Sequence, residues 1–113
     1  MKITKEFPGL VEESWCFRFA GSIQTEWSIE IDLGNKWLIV SGRIEAGEGI
    51  EAGGGIEAGL SIRCKLVLSF AFHLFAGIAS WKKAEGEDLV VEAKRIDGDV
   101  KYGTVRLLTE KSE

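Results

Sequence analysis

The sequence predicts an all-β protein: a short parallel β-helix (a hexapeptide-repeat solenoid) with an N-terminal strand cap and a C-terminal β-hairpin. Three observations predict it. From Leu38 to Ala79 an aliphatic residue recurs every six positions, at Leu38, Ile44, Ile50, Ile56, Ile62, Leu68 and Leu74, and a fixed short period marks a repeat-built fold. On both sides of this stretch apolar and polar residues alternate with the period of two that strands require. Pro8 is the only proline, so the body of the chain lacks the residue that most disrupts a strand ladder.

Taken in order, residues 1–28 are expected to supply cap strands. Trp15, Phe17 and Phe19 share one face, and Trp27, Ile29, Ile31 and Leu33 another, with a turn near Gly21-Ser22. Residues 29–80 are expected to form the β-helix. In each Ile-Glu-Ala-Gly block the alternation turns Ile and Ala inward and Glu outward, and the Gly permits the positive or restricted dihedrals of a sharp corner. Three hexads make an 18-residue coil, and successive coils stack about 4.8 Å apart. Ile31-Asp32-Leu33-Gly34 reads as an earlier rung with one inserted residue at a corner. The register then predicts Leu38 on Ile56, Ile44 on Ile62, Ile50 on Leu68, and Ile56 on Leu74. It also aligns Ala46 with Cys64, Ala52 with Phe70, Ala58 with Ala76, and, on the outside, Glu45 with Arg63. Residues 42–59 are glycine-rich, but a flexible linker does not place isoleucine at every sixth position. Residues 81–113 are expected to form a polar loop at 82–88, then a hairpin of Leu89–Ile96 and Val100–Leu108 turning at Asp97-Gly98-Asp99, and a frayed tail at 109–113.

At 113 residues, 45% apolar and 28% charged, the chain fits a single globular domain with one modest core. The N-terminal residues carry no signal-peptide pattern. The longest apolar stretch, Leu66–Trp81, is too short to cross a bilayer and contains His73. These features predict a cytoplasmic protein with no membrane contact. Cys16 and Cys64 lack metal-ligand spacing, and Cys64 falls at an inward position, so a buried free thiol is expected.

No motif names a reaction. His73, the only histidine, stands between Phe72 and Leu74 with no Ser, Cys or Asp spaced as a relay partner. Gly47-Glu48-Gly49 and Gly53-Gly54-Gly55 superficially match nucleotide-binding loops. No helix follows them, however, and glutamates stand where a phosphate loop needs lysine. The period is shared with left-handed β-helix acyltransferases, but the aliphatic and small positions are exchanged and no corner histidine is present to act as base. The expectation is a non-enzyme without cofactor or metal.

Charge and exposed apolar residues give the binding candidates. From Glu26 to Gly59 seven acidic residues stand against Lys36 and Arg43, a local charge of −5, while the rest of the chain sums to +1 within the net −4. Regularly spaced carboxylates on a rigid support can imitate a nucleic-acid backbone and occupy a basic groove of a protein partner. Glu45, Glu48, Glu51 and Glu57 are the candidate partner contacts. The same charges disfavour direct nucleic-acid binding. Leu66, Val67, Phe72, Phe75 and Ile78 are apolar at outward or corner positions and form a candidate homo-oligomer interface. The tryptophans Trp15, Trp27, Trp37 and Trp81 are expected in core or cap positions.

The run Ile44-Glu45-Ala46-Gly47 through Ile62, followed by Phe75-Ala76-Gly77 and Trp81, resembles uncharacterised Ile-x-Ala-Gly hexapeptide-repeat proteins of gut Firmicutes and their phages. The resemblance covers roughly residues 31–108. It implies a repeat-built β fold and a phage or mobile-element origin, and it carries no catalytic residues. Small acidic phage proteins without enzymatic motifs commonly block host defence, anti-CRISPR proteins among them. The expected function is therefore inhibition of a bacterial defence or nucleic-acid-handling protein by direct binding. A structural, oligomerising role and the sequestering of a small nucleotide are the alternatives.

Overall fold

The computed structural model describes residues 1–79, 83 and 85–108. Trp81, parts of the expected 82–88 loop and the whole 109–113 tail lie outside the described residues. The fold is all-β, with fourteen strands and one short 3-10 helix, Gly86–Leu89, among the described residues. The strands are β1 (Lys2–Ile3), β2 (Leu10–Glu12), β3 (Cys16–Phe19), β4 (Ile23–Thr25), β5 (Ile29–Ile31), β6 (Trp37–Val40) and β7 (Ile44–Ala46). They continue as β8 (Ile50–Ala52), β9 (Ile56–Ala58), β10 (Ile62–Arg63), β11 (Val67–Phe75), β12 (Val90–Ala93), β13 (Arg95–Tyr102) and β14 (Thr104–Leu107).

Most strands are three or four residues long because each hexad supplies one in–out–in triplet and then a corner. Ile44, Ile50 and Ile56 are buried at the first position, and Ala46, Ala52 and Ala58 at the third. The seven hexad openers are all fully buried, each withdrawing a side chain whose removal from water is worth about 1.5–3 kcal/mol. This single repeated choice makes one continuous core from Ile3 to Ala93.

The strands pair in three ladders. The first joins β1, β5, β8 and the start of β11, and β13 adds to its end. The second joins β2, β3, β6, β9, the end of β11 and the later part of β13. The third joins β4, β7, β10, β12 and β14. Every pairing is parallel except that of β2 with β3. Because β11 runs unbroken across one corner, the first two ladders form one nine-stranded sheet, and the third forms a five-stranded one. From β3 onward the chain visits the second, third and first ladders in turn.

The register predicted from the hexads is present at Leu38–Ile56, Ile44–Ile62, Ile50–Leu68, Ile56–Leu74 and Ala52–Phe70. Glu45 is likewise opposite Arg63. Ala46, Cys64, Ala58 and Ala76 are all buried. Parallel pairing begins earlier than expected. Phe17, Ile23 and Ile29 are themselves six apart and pair with Leu38, Ile44 and Ile50. The earlier rung is therefore Ile29-Glu30-Ile31 rather than Ile31-Asp32-Leu33-Gly34. The insertion before Leu38 is three residues, taken up at the Leu33–Asn35 bridge and Lys36.

Two further expectations are corrected. The C-terminal hairpin does not form: β12 and β14 pair in parallel with each other, and β13 runs straight through Asp97-Gly98-Asp99 beside β11. Gly98 has φ +150°, and a Cβ there would lie 2.5 Å from Phe70 Cε2, so the glycine makes room for a core ring instead of turning the chain. Positive φ occurs at Gly77, which closes Leu74-Phe75-Ala76-Gly77, but not at Gly47, Gly53 and Gly59 of the three Ile-Glu-Ala-Gly blocks, whose restriction is one of space. A Cβ on Gly47 would strike the Glu26 carbonyl oxygen, and one on Gly59 the Ser41 carbonyl oxygen. They are glycines because stacked corners touch.

At the N-terminal end Phe7 packs on Phe19, ring centroids 5.8 Å apart. Lys36 donates to Glu12 Oε2 at 2.8 Å and to the Glu13 carbonyl at 2.9 Å while lying over the Phe17 ring. These contacts close β2 over the first rung.

Candidate functional site

Since inward positions are filled by the core, chemistry is confined to the outward residue of each strand, and register stacks those residues into three columns. On the third ladder the column is Gln24, Glu45, Arg63, Glu92 and Arg106. Its arginines are held by Glu92 and by Glu87 of the 3-10 helix, while Glu45 forms no ion pair among the described residues. Arg63 bonds Glu87 Oε1 at 2.6 Å, and Arg106 holds Glu87 Oε2 at 2.7 Å and Glu92 at 3.1 Å. Hydrogen bonds from Arg106, then Arg63, pull the Glu87 carboxyl down to about 2. Glu45 is opposite Arg63 as predicted, but the guanidinium turns to Glu87 in the 3-10 helix.

On the second ladder the column is Val11, Arg18, Ile39, Glu57, Phe75 and Tyr102. Arg18 Nε bonds Glu13 at 2.9 Å. Glu57 is half-buried and forms no ion pair among the described residues. Burial pushes its carboxyl upward, partly offset by Arg18. Trp37 packs against Phe75 with centroids 5.8 Å apart. A concavity of about 230 Å³ lies here, lined by Arg18, Ile39, Glu57 and Ile78 among others.

The first ladder carries Lys2, Glu30, Glu51, Ser69 and Asp97. Lys2 is 3.8 Å from Asp32, and Arg95 pairs with Asp97 at 3.0 Å. Glu30 and Glu51 are stacked directly on one another, exposed, and without an ion pair among the described residues. Like charges placed opposite each other on neighbouring strands cost stability. Glu48 is exposed at the adjoining corner, where its carbonyl accepts from Lys65 and Leu66. A shallow groove of about 520 Å³ runs along this face, bordered by Leu66, Val67, Arg95 and Asp97.

The four candidate glutamates thus separate. Glu51 is on the first face, Glu48 at the corner between the third and the first, Glu45 on the third and Glu57 on the second. Glu30, which sequence reasoning passed over, is the neighbour that completes the acidic pair. Its signal was available as the outward position of a hexad beginning at Ile29. The apolar candidates separate as well: Leu66 and Val67 border the groove of the first face, Phe72 is exposed on the corner crossed by β11, and Phe75 and Ile78 belong to the second face. Trp15 and Trp27 are exposed rather than packed in a cap, and Trp37 is half-buried.

His73 Nδ1 lies 3.4 Å from Asp99 Oδ2, which Lys101 also contacts at 2.9 Å. The Lys101 hydrogen bond holds the Asp99 carboxyl below its ordinary range. Cys16 and Cys64 are both buried free thiols, and burial raises Cys64 to about 11. Among the described residues no set of His, Cys, Asp and Glu is grouped to hold a metal ion, and no helix is long and apolar enough to cross a membrane. Comparison with protein-family models, with curated proteins and with solved structures finds no match to this chain.

Proposed function

We propose that the chain is a short parallel β-helix that works as a non-catalytic binding module, presenting its first face to a basic surface of a protein partner. The three-ladder succession, with coils of 18 residues in the hexad stretch, supports the β-helix reading. The observation that carries the function is the unneutralised Glu30–Glu51 stack. On the third face Glu87 and Glu92 are paired with arginines, whereas the Glu30–Glu51 pair keeps a repulsive arrangement that a cationic partner would relieve. The stack places charge about every 4.8 Å along a stiff wall, comparable with the roughly 3.4 Å axial spacing of phosphates along a nucleic-acid strand. Glu48 extends the negative edge, and Leu66 and Val67 offer apolar contact beside it.

The natural target of such a surface is a groove built to hold nucleic acid, and the activity that follows is competitive inhibition of a bacterial nucleic-acid-handling or defence protein. Sequestering of an anionic nucleotide is disfavoured by the same carboxylates lining the groove.

The test is a pull-down with tagged protein from nuclease-treated bacterial lysate, followed by elution with short duplex DNA. A stoichiometric basic protein released by the duplex is the expected result. Retention of nothing, or of a partner indifferent to the duplex, would sink the reading.

A further inference from the structure

The second face has a symmetry that the other two lack. Read along the stack, its outward column runs Val11, Arg18, Ile39, Glu57, Phe75, consecutive members being register partners. In chemistry this is apolar, positive, apolar, negative, apolar, centred on Ile39. A two-fold axis lying over Ile39 and parallel to the strands inverts the order of the column on a second copy. Arg18 then meets Glu57 of the other copy, Glu57 meets its Arg18, and Val11 meets its Phe75. An isologous interface requires this kind of self-complementarity.

We propose that this face is where a second copy of the chain docks, forming a two-fold dimer through Val11, Arg18, Glu57 and Phe75, arranged about Ile39, which is itself only 6% exposed. The present surroundings of these residues support that occupant. Val11 is 60% exposed and Ile78, on the rim of the concavity, 36%. Tyr102 continues the apolar column beyond Phe75 and is also exposed. Glu57 is half-buried beside Ile39, and among the described residues it forms no ion pair while Arg18 is engaged through Nε alone, by Glu13. A carboxylate already partly removed from water gains most from a cation brought to it, because desolvation has lowered the local dielectric. The other faces do not offer the same fit. A two-fold over Glu51 of the first face sets it against itself and one between Glu30 and Glu51 sets those two together, and the arginines of the third are held through their terminal nitrogens by Glu87 and Glu92, where Glu13 takes only the Nε of Arg18. The dimer leaves the first face uncovered, so it stands or falls apart from the partner-binding proposal.

The test uses the purified full chain in sedimentation equilibrium. Wild-type protein is expected at twice the chain mass of 12.4 kDa. Arg18→Glu alone and Glu57→Arg alone each place like charges at both contacts and are expected as single chains. Mixing the two variants in equal amounts restores both opposite-charge contacts at once, and the double mass is expected to return. Val11→Asp, at an exposed position that does not depend on refolding the core, is expected to weaken the dimer about tenfold or more. A monomeric wild type overturns the proposal, as do single variants that stay dimeric or folded variants whose mixture remains monomeric.

Discussion

A single repeated side chain does most of the structural work. Ile56 stands between Leu38 and Leu74 in the second ladder and is completely buried. Neighbours above, below and across the core prevent the site from collapsing, so Ile56→Ala is expected to cost about 2–5 kcal/mol, measured by urea unfolding. A change in the outward Glu57 beside it should cost far less. The two cysteines give a second residue-scale expectation. Cys64 is 2% exposed and raised to about 11 by burial, and Cys16 is likewise buried with its thiol raised. The native protein should resist a thiol reagent at neutral pH, while denatured protein should react at both. Rapid labelling of folded protein would contradict this placement. Residues of this kind were legible because burial follows from period alone. The partner of Arg63 was not: Glu87 is 24 positions away in a segment without the repeat, and only folding brings it within 2.6 Å.

For the elements, the repeat predicted strand length, direction and register wherever the period was unbroken. It failed where one element serves two ladders or where the spacing changes. β11 continues through a corner and supports β8 with its first half and β9 with its second, a dual role that no local pattern declares. Asp97-Gly98-Asp99 has the composition of a hairpin turn, yet Phe70 requires the glycine and the strand runs on. The C-terminal rungs are tied instead by charge, with Glu87 joining Arg63 of β10 to Arg106 of β14. Because the Glu87 carboxyl is lowered in the folded protein, the stability it contributes is present above its ordinary value near 4.5. That stability is lost as pH falls toward about 2. Glu87→Gln should therefore show a smaller fall in thermal midpoint than wild type across this window, and the difference should shrink in high salt. Equal acid sensitivity in the two proteins would remove Glu87 from this role.

Across the whole molecule, one core carries three outer faces with different electrostatic states. On the third the arginines are held by Glu87 and Glu92, the second is alternately charged and apolar, and the first keeps stacked carboxylates free. The concentration of acid between Glu26 and Gly59 was legible in the sequence, but its distribution was not, since successive hexads point to different ladders. Hence Glu45, Glu48, Glu51 and Glu57 do not make one patch, and Glu30 joins Glu51 through a pairing 21 positions apart. The measurement that tests the central claim most directly is the affinity of the captured partner for two charge-matched double variants. Glu30→Lys with Glu51→Lys alters the first face, and Glu6→Lys with Glu45→Lys changes net charge equally elsewhere. The account predicts a loss of at least about tenfold for the first pair, roughly 1.4 kcal/mol, and little change for the second. Equal losses, or a larger loss from the second pair, would show that net charge or another face governs binding and would contradict it.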